Sequence, residues 1–483
     1  MEDHRGCGPR QRDALSVMNA GSQSQQGLLG FVLVCITFVV ACSKLSLWAG
    51  IILTLAFAVS LVIAQIACGV LVLKRLTIGG FWYWTYLVMI FLPALFVYSE
   101  QEGPYRNRFL IAVVMTLFTV PLGWVLANMW SGYSLRETEK FFSAPLQNDV
   151  SYDRLRKPIT WLLAVASCLT ITYILEVKTI PLFYLFAHPG DYLELVFLRE
   201  ESFKLLDSPL IYVYFMLRSV LFPFIVALSL GCYLRTRERW WMFCFVVSSL
   251  LGVFFASLSL AKAPVAIIIF VAGFFVYLYR GGTLSRKTIA CLLILTLAFP
   301  IFVVLGVSDD SVTGSMVALG VVTRIFYLPA EVVYFYFEVF PTQQHYLHGL
   351  SIDKLARIVG EHGFPTENFV GTYAYPQYQD TVSANGAFFA YLYADFGMTG
   401  VLVGGIIVGI VMQAVSIWLI RRRKNVVTLA GYAFMLYAFW FLHSVAFPVV
   451  IASNGVVAIM LLVTVFSRKS SYDRRQLLEV SST

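Results

Sequence analysis

The chain has 483 residues, of which 59% are hydrophobic, 16% aromatic and only 13% charged, with a formal net charge of +8. A soluble domain carries about 25% charged residues, so this composition excludes a soluble globular protein, a disordered chain and a fibrous one. A mean hydropathy of +0.78 and long apolar runs indicate one polytopic membrane domain instead. The basic excess is the kind that collects at the cytoplasmic ends of membrane spans rather than a nucleic-acid footprint.

Residues 1–27 are polar and rich in Gln, Ser and Gly, without the cleavage pattern of a signal peptide, and read as a disordered cytoplasmic tail. A spanning helix needs ~20 mainly apolar residues. Twelve stretches qualify: 28–43, 46–73, 81–98, 109–130, 159–176, 209–233, 240–258, 263–279, 288–306, 397–420, 427–446 and 449–467. The run 240–279 is too long for one crossing, and Lys262-Ala263-Pro264 divides it, because proline ends or kinks a helix. Residues 28–467 therefore form an all-α membrane domain of about 12 transmembrane helices, followed by a cytoplasmic tail at 468–483.

With the N-terminus inside, the inner loops hold Lys74 and Arg75, the group from Arg136 to Lys157, Arg235 to Arg239, Arg280 to Lys287 and Arg421 to Lys424. Together with the two tails they contain 24 of the 35 lysines and arginines. The positive-inside rule then places both termini in the cytoplasm. Most outer loops are brief; 177–208 and 307–396 are not. The second contains the aromatic run Arg324 to Glu338, predicted to be partly helical and to lie at or re-enter the membrane surface. No internal repeat of the inverted-transporter kind is visible.

Ionisable residues at membrane depth are costly, so each needs a reason. Arg218 lies about nine residues into its span, ~13 Å deep at 1.5 Å per residue. Its insertion costs roughly 2.5–3.5 kcal/mol before compensation. Either it faces a functional cavity, or it pairs internally for packing alone. Lys262, on a turn too short to reach far into solvent, either points into an outer cavity or snorkels to headgroups. Arg199 is a loop cation that either joins a site or pairs with Glu200 or Glu201, and Arg324 is embedded among apolar and aromatic residues. Four outward cations suit an anion at membrane level, since arginine's planar fork matches phosphate.

Acid, base and acceptor-site candidates lie in the long loop: Glu331, His345, His348, Asp353, Glu361, Glu367, Asp380, Asn385 and Asp395. Asp395-Phe396-Gly397 has the letters of a kinase metal motif, but no glycine-rich or catalytic loop accompanies it. The eight cysteines show no CxxC or Cys/His spacing, and no carboxylate or histidine cluster has metal spacing. Neither metal nor cofactor is expected.

The stretch from His348-Gly349-Leu350 through Asn385-Gly386-Ala387-Phe388-Phe389 to Tyr391-Leu392-Tyr393-Ala394-Asp395-Phe396-Gly397-Met398-Thr399-Gly400 resembles the bacterial O-antigen polymerases, the Wzy-type oligosaccharide repeat-unit polymerases. That family tends to close its large outer loop with a similar Asp-Phe-Gly-x-x-Gly entry to the next span. The turn at Lys262 also resembles a short basic turn of the family, although arginine is the more usual residue there. The resemblance covers 190–400 in detail and only span count and hydropathy elsewhere.

It implies a GT-C-like, inner-membrane glycosyltransferase without a metal. Such an enzyme takes a glycan on undecaprenyl pyrophosphate at the periplasmic face and transfers it to the non-reducing end of one lipid-linked repeat unit. Arg218 and Arg324 would hold the pyrophosphate, with Arg199 and Lys262 as additions and Asn385 on the substrate. His348, Glu331 and Asp380 would be the base or acceptor-site candidates. Membrane lipids, a chain-length regulator and a flippase are the implied partners, and nucleic acid is not. The alternatives are an O-antigen ligase, which delivers finished glycan to lipid A-core, and a non-enzymatic flippase of lipid-linked oligosaccharide. A flippase would show two similar halves and a charged lumen open to both faces, whereas the charge here is one-sided.

Overall fold

A computed structural model of the chain describes residues 37–39, 46–71, 76–147, 151–177, 179–188, 194–195, 198, 210–260, 262–282, 291, 294, 320, 323–352, 356–357, 360–377 and 382–467. Among these residues there is no strand. In chain order the helices are α1 (Leu47–Cys68), α2 (Ile78–Glu100), α3 (Arg106–Ser131), α4 (Leu135–Ser143), α5 (Tyr152–Glu176) and α6 (Pro181–Ala187). Next come α7 (Ile211–Thr236), α8 (Arg239–Ser257), α9 (Lys262–Tyr279), α10 (Leu328–Val339) and α11 (Thr366–Ala374). The last are α12 (Phe388–Ile420), α13 (Val426–His443), α14 (Phe447–Ala452) and α15 (Val456–Phe466).

Nine of the described stretches are long and apolar enough to cross a membrane: α1, α2, α3, α5, α7, α8, α12, α13 and α14 with α15; α9 is apolar but shorter. These ten correspond to ten of the twelve expected spans. The other two, 28–43 and 288–306, lie outside the described residues except at 37–39, 291 and 294. Helix boundaries have local causes. Ser46 and Thr77 cap α1 and α2 through their hydroxyls, and Gly69 and Gly132 end α1 and α3 in the left-handed conformation. The expected break at Lys262-Pro264 separates α8 from α9.

The tightest pairing is between α3 and α12. A Cβ on Gly409 would lie 2.1 Å from the Val120 carbonyl, and one on Gly123 would lie 2.3 Å from that of Ile406. Only glycine permits this approach, and in lipid it is packing rather than the hydrophobic effect that holds helices together. Beside the glycines, Gln413 Nε2 donates to Asn128 Oδ1 at 2.7 Å, and Asn128 Nδ2 donates to the Ala67 carbonyl at 2.9 Å. These amides tie α12, α3 and α1. Helix α13 is nearly enclosed, while α1 and α5 present rows of exposed Leu, Ile and Trp outward, as lipid-facing helices do.

Contacts between helix ends sort into two groups. At one face Arg421 pairs with Glu137 at 3.0 Å, Arg156 pairs with Glu238 at 2.6 Å, and Lys424 Nζ donates to the Phe142 and Ala144 carbonyls at 2.8 Å. The Arg421 hydrogen bonds hold the Glu137 carboxyl below its ordinary value. At the other face Tyr327 donates to Glu100, Thr342 to the Tyr105 hydroxyl and Leu182 N–H to the Leu258 carbonyl. Among the described residues the basic loops that hold Arg156, Arg421 and Lys424 thus share one side, the side that the positive-inside rule predicts to be cytoplasmic. Reporter fusions after Leu350 are expected to be active outside and fusions after Arg422 inside. A cytoplasmic signal at Leu350 would invert the assignment.

Candidate functional site

Three times among the described residues a widened, π-type turn stands just ahead of a proline: Leu87–Phe91 before Pro93, Leu217–Leu221 before Pro223 and Thr323–Tyr327 before Pro329. Proline has no N–H, and its ring collides with the carbonyl four residues earlier. Widening the turn removes the collision: the N–H of Leu92 reaches back to the Leu87 carbonyl, and that of Phe222 to Leu217. Turns of this kind are frequent at functional positions. Arg218 and Arg324 occupy the same place in two of them, each five residues before its proline, in Arg218-Ser-Val-Leu-Phe-Pro223 and Arg324-Ile-Phe-Tyr-Leu-Pro329.

Arg218 is only 8% exposed. Its Nη1 donates to Ser259 Oγ at 2.9 Å, and its guanidinium carbon lies 5.1 Å from the centre of the Phe215 ring. Ser259 belongs to the short turn between α8 and α9, so the structure brings Arg218 to the turn that leads into Lys262. Tyr437 on the central α13 stands within electrostatic reach of the same guanidinium. Arg324 is exposed, and its turn packs on α2 and α10, whereas the Arg218 turn packs on α8 and α9. The two cations therefore stand on different walls. Arg199 and the side chain of Lys262 lie outside the described residues.

The loop 307–396 is not a surface appendage where it is described. Helix α10 buries Val333, Tyr334, Tyr336 and Phe337 against α2, α3 and α12. Its carboxylates, and those near it, accept from tyrosine hydroxyls. Tyr375 donates to Glu331 at 3.0 Å, Tyr334 to Glu338 at 2.7 Å, and Tyr391 to Glu367 at 2.6 Å. Ser383 links Glu367, at 3.0 Å, to Asn385, at 3.3 Å. Glu331 and Asn385 are thus both tied into one layer through α11, which carries Glu367 at its start and leads into Tyr375 at its end. Burial, helped by the glutamate, pushes the Tyr375 hydroxyl well above its usual range. A tyrosine held neutral beside a carboxylate offers aromatic surface and an oriented polar group together, which is the chemistry that recognises hydroxylated rings.

His348 and Asp395 play parts the sequence does not announce. His348 is exposed at φ 51°, and Gly349 follows at φ 97°. This turn aims the Gly349 and Ser351 amides, on either side of Leu350, at the Asp395 carboxylate, which accepts from Gly349 N at 3.0 Å, Ser351 N at 3.1 Å and Ser351 Oγ at 2.6 Å. Asp395 therefore fastens the His348-Gly349 turn to the Asp395-Phe396-Gly397 entry of the next span. Asp353 and Asp380 lie outside the described residues. Among the described residues no group of three metal-ligating side chains occurs.

Sequence reasoning missed His443. It is buried at the C-terminal end of α13, its ring 5.7 Å from that of Trp82, with Nε2 2.8 Å from Thr85 Oγ1. Nothing in its local sequence singles it out. The Arg-x-x-x-x-Pro spacing, by contrast, was present in the sequence twice and would have marked both arginines as a pair.

Fold and site together define a class: an all-α, multi-pass membrane protein with a buried arginine near one face and a tyrosine–carboxylate layer on that same side. Compared with known protein families, curated proteins and solved structures, the chain matches none.

Proposed function

We propose that the chain is a glycosyltransferase that polymerises undecaprenyl-pyrophosphate-linked oligosaccharide repeat units at the periplasmic face of a bacterial inner membrane. The observation that supports this best is Arg218, a guanidinium buried in a membrane-spanning helix and matched by Arg324 on a turn of the same construction. A leaving group that is itself anionic, and lipid-anchored at that depth, is the substrate such cations suit. In the reaction, an acceptor hydroxyl attacks the anomeric carbon of the donor glycan. The carbon–oxygen bond to pyrophosphate breaks, and its electron pair leaves with undecaprenyl pyrophosphate. Arginines stabilise the charge that develops on the departing oxygen. The hydroxyl proton passes to a base in the outer layer. Glu331 is the described candidate on the same segment as Arg324, seven residues or about two helical turns further along.

Deletion of the gene tests the reading. A strain lacking the protein is expected to accumulate single lipid-linked repeat units and to lose the ladder of long polysaccharide. Accumulation of long undecaprenyl-linked chains would instead indicate a ligase, and accumulation of units on the cytoplasmic leaflet a flippase.

A further inference from the structure

We propose that a groove between α3 and α12, at the face that carries Arg421, binds an anionic phospholipid. This site is separate from the outer-face chemistry and does not depend on it. Past the contact at Gly123 and Gly409 the two helices leave an open cleft of about 630 Å³. Its floor is small and apolar, with Ala127 and Ala414 on facing helices, and Trp130 and Trp418 stand among its lining side chains. Arg421 and Arg422 complete the lining where the chain leaves the membrane. Apolar floor, aromatic edge and terminal cations follow the order of a phospholipid from acyl chain to phosphate.

Charge selects the occupant. Arg421 is offset by Glu137 at 3.0 Å. Arg422 has no ion pair among the described residues. It is held instead by Thr464, which accepts from its Nη2 at 3.0 Å, and by the Trp418 ring, whose centre lies 4.0 Å from the guanidinium carbon. Its Nε is buried and has no hydrogen-bond partner among the described residues. One guanidinium with no ion pair among the described residues, at the end of an apolar slot, complements one phosphodiester. A helix from a second copy would fill the slot and leave that charge unmatched.

The test uses the full chain reconstituted in phosphatidylcholine vesicles with increasing fractions of phosphatidylglycerol brominated on its acyl chains. Bromine quenches nearby tryptophan, and Trp130 and Trp418 are the reporters. Saturable quenching is expected, absent when the brominated lipid is phosphatidylcholine at the same fraction. Trp130→Phe with Trp418→Phe should remove the saturable part. Arg422→Gln should raise the half-saturating fraction roughly tenfold, as loss of one charge-assisted hydrogen bond does. Equal quenching of the wild-type chain by the two brominated lipids would overturn the proposal, whatever the variants do. A dimer in the vesicles that Ala414→Phe dissociates would overturn it too, by giving the groove to a second copy.

Discussion

Arg218→Ala is expected to abolish long-chain polysaccharide while leaving the protein in the membrane at normal level, so that the surface carries at most one repeat unit per acceptor. The side chain stands inside α7 on a turn widened by Pro223, with Ser259 and Phe215 fixing the guanidinium. A phosphate held by two parallel charge-assisted hydrogen bonds gains about 1.5–3 kcal/mol from each. Loss of both in the transition state slows turnover by at least roughly a hundredfold. Arg218→Lys keeps the charge and loses the fork, and should retain only part of the activity. Ser259→Ala removes the hydroxyl that orients Nη1 and should cost roughly tenfold or less. In vitro chain lengthening with lipid-linked repeat units, read by gel, separates the three variants. A lysine variant equal to wild type would make Arg218 a point charge. An alanine variant that makes normal ladders at normal protein level would confine the residue to packing.

The membrane helices were legible because their cause is local. A run such as Leu47–Cys68 has no charged residue, and hydropathy sees it directly. Boundaries shifted where charge and helix coexist. Helix α5 begins at Tyr152 rather than 159, since Asp153, Arg154, Arg156 and Lys157 extend it as a water-facing first turn that carries no apolar signal. The span expected from 397 does begin there: Gly397, at φ 63°, ψ −152°, breaks the helical path, and the aromatic segment from Phe388 is a separate helical piece that meets it at a kink. Arg218 could be read from depth alone. The glutamates could not, since Glu100 and Tyr327 stand 227 residues apart and meet only once α10 has packed on α2. The α3–α12 groove was equally hidden. It depends on where two helices cross, which Gly123 and Gly409 decide jointly, and neither glycine is informative without the other.

Asp395→Ala should destabilise the outer layer more than any substitution of an exposed candidate such as His348. The carboxylate is 5% exposed and accepts three hydrogen bonds from Gly349 and Ser351. Alanine leaves two amides and a hydroxyl without an acceptor in a buried place, a loss of about 3 kcal/mol, and the unfolding midpoint in detergent should fall by roughly 5 °C. Asp395→Asn keeps the shape and one oxygen for the amides, while its Nδ2 can donate to Ser351 Oγ, so only about 1 kcal/mol should be lost. Gly397→Ala should rank with the alanine variant. Gly397 sits at φ 63°, ψ −152°, a region open essentially to glycine alone. A Cβ there would also lie 3.0 Å from the Tyr346 ring, which is part of the segment Asp395 fastens. If Asp395 acts only as this fastener, chain lengthening by the asparagine variant stays near wild type and the midpoints order as Asn, then Gly397→Ala and Asp395→Ala. An asparagine variant with an unchanged midpoint and no chain lengthening would instead make Asp395 the proton acceptor and displace Glu331 from that role.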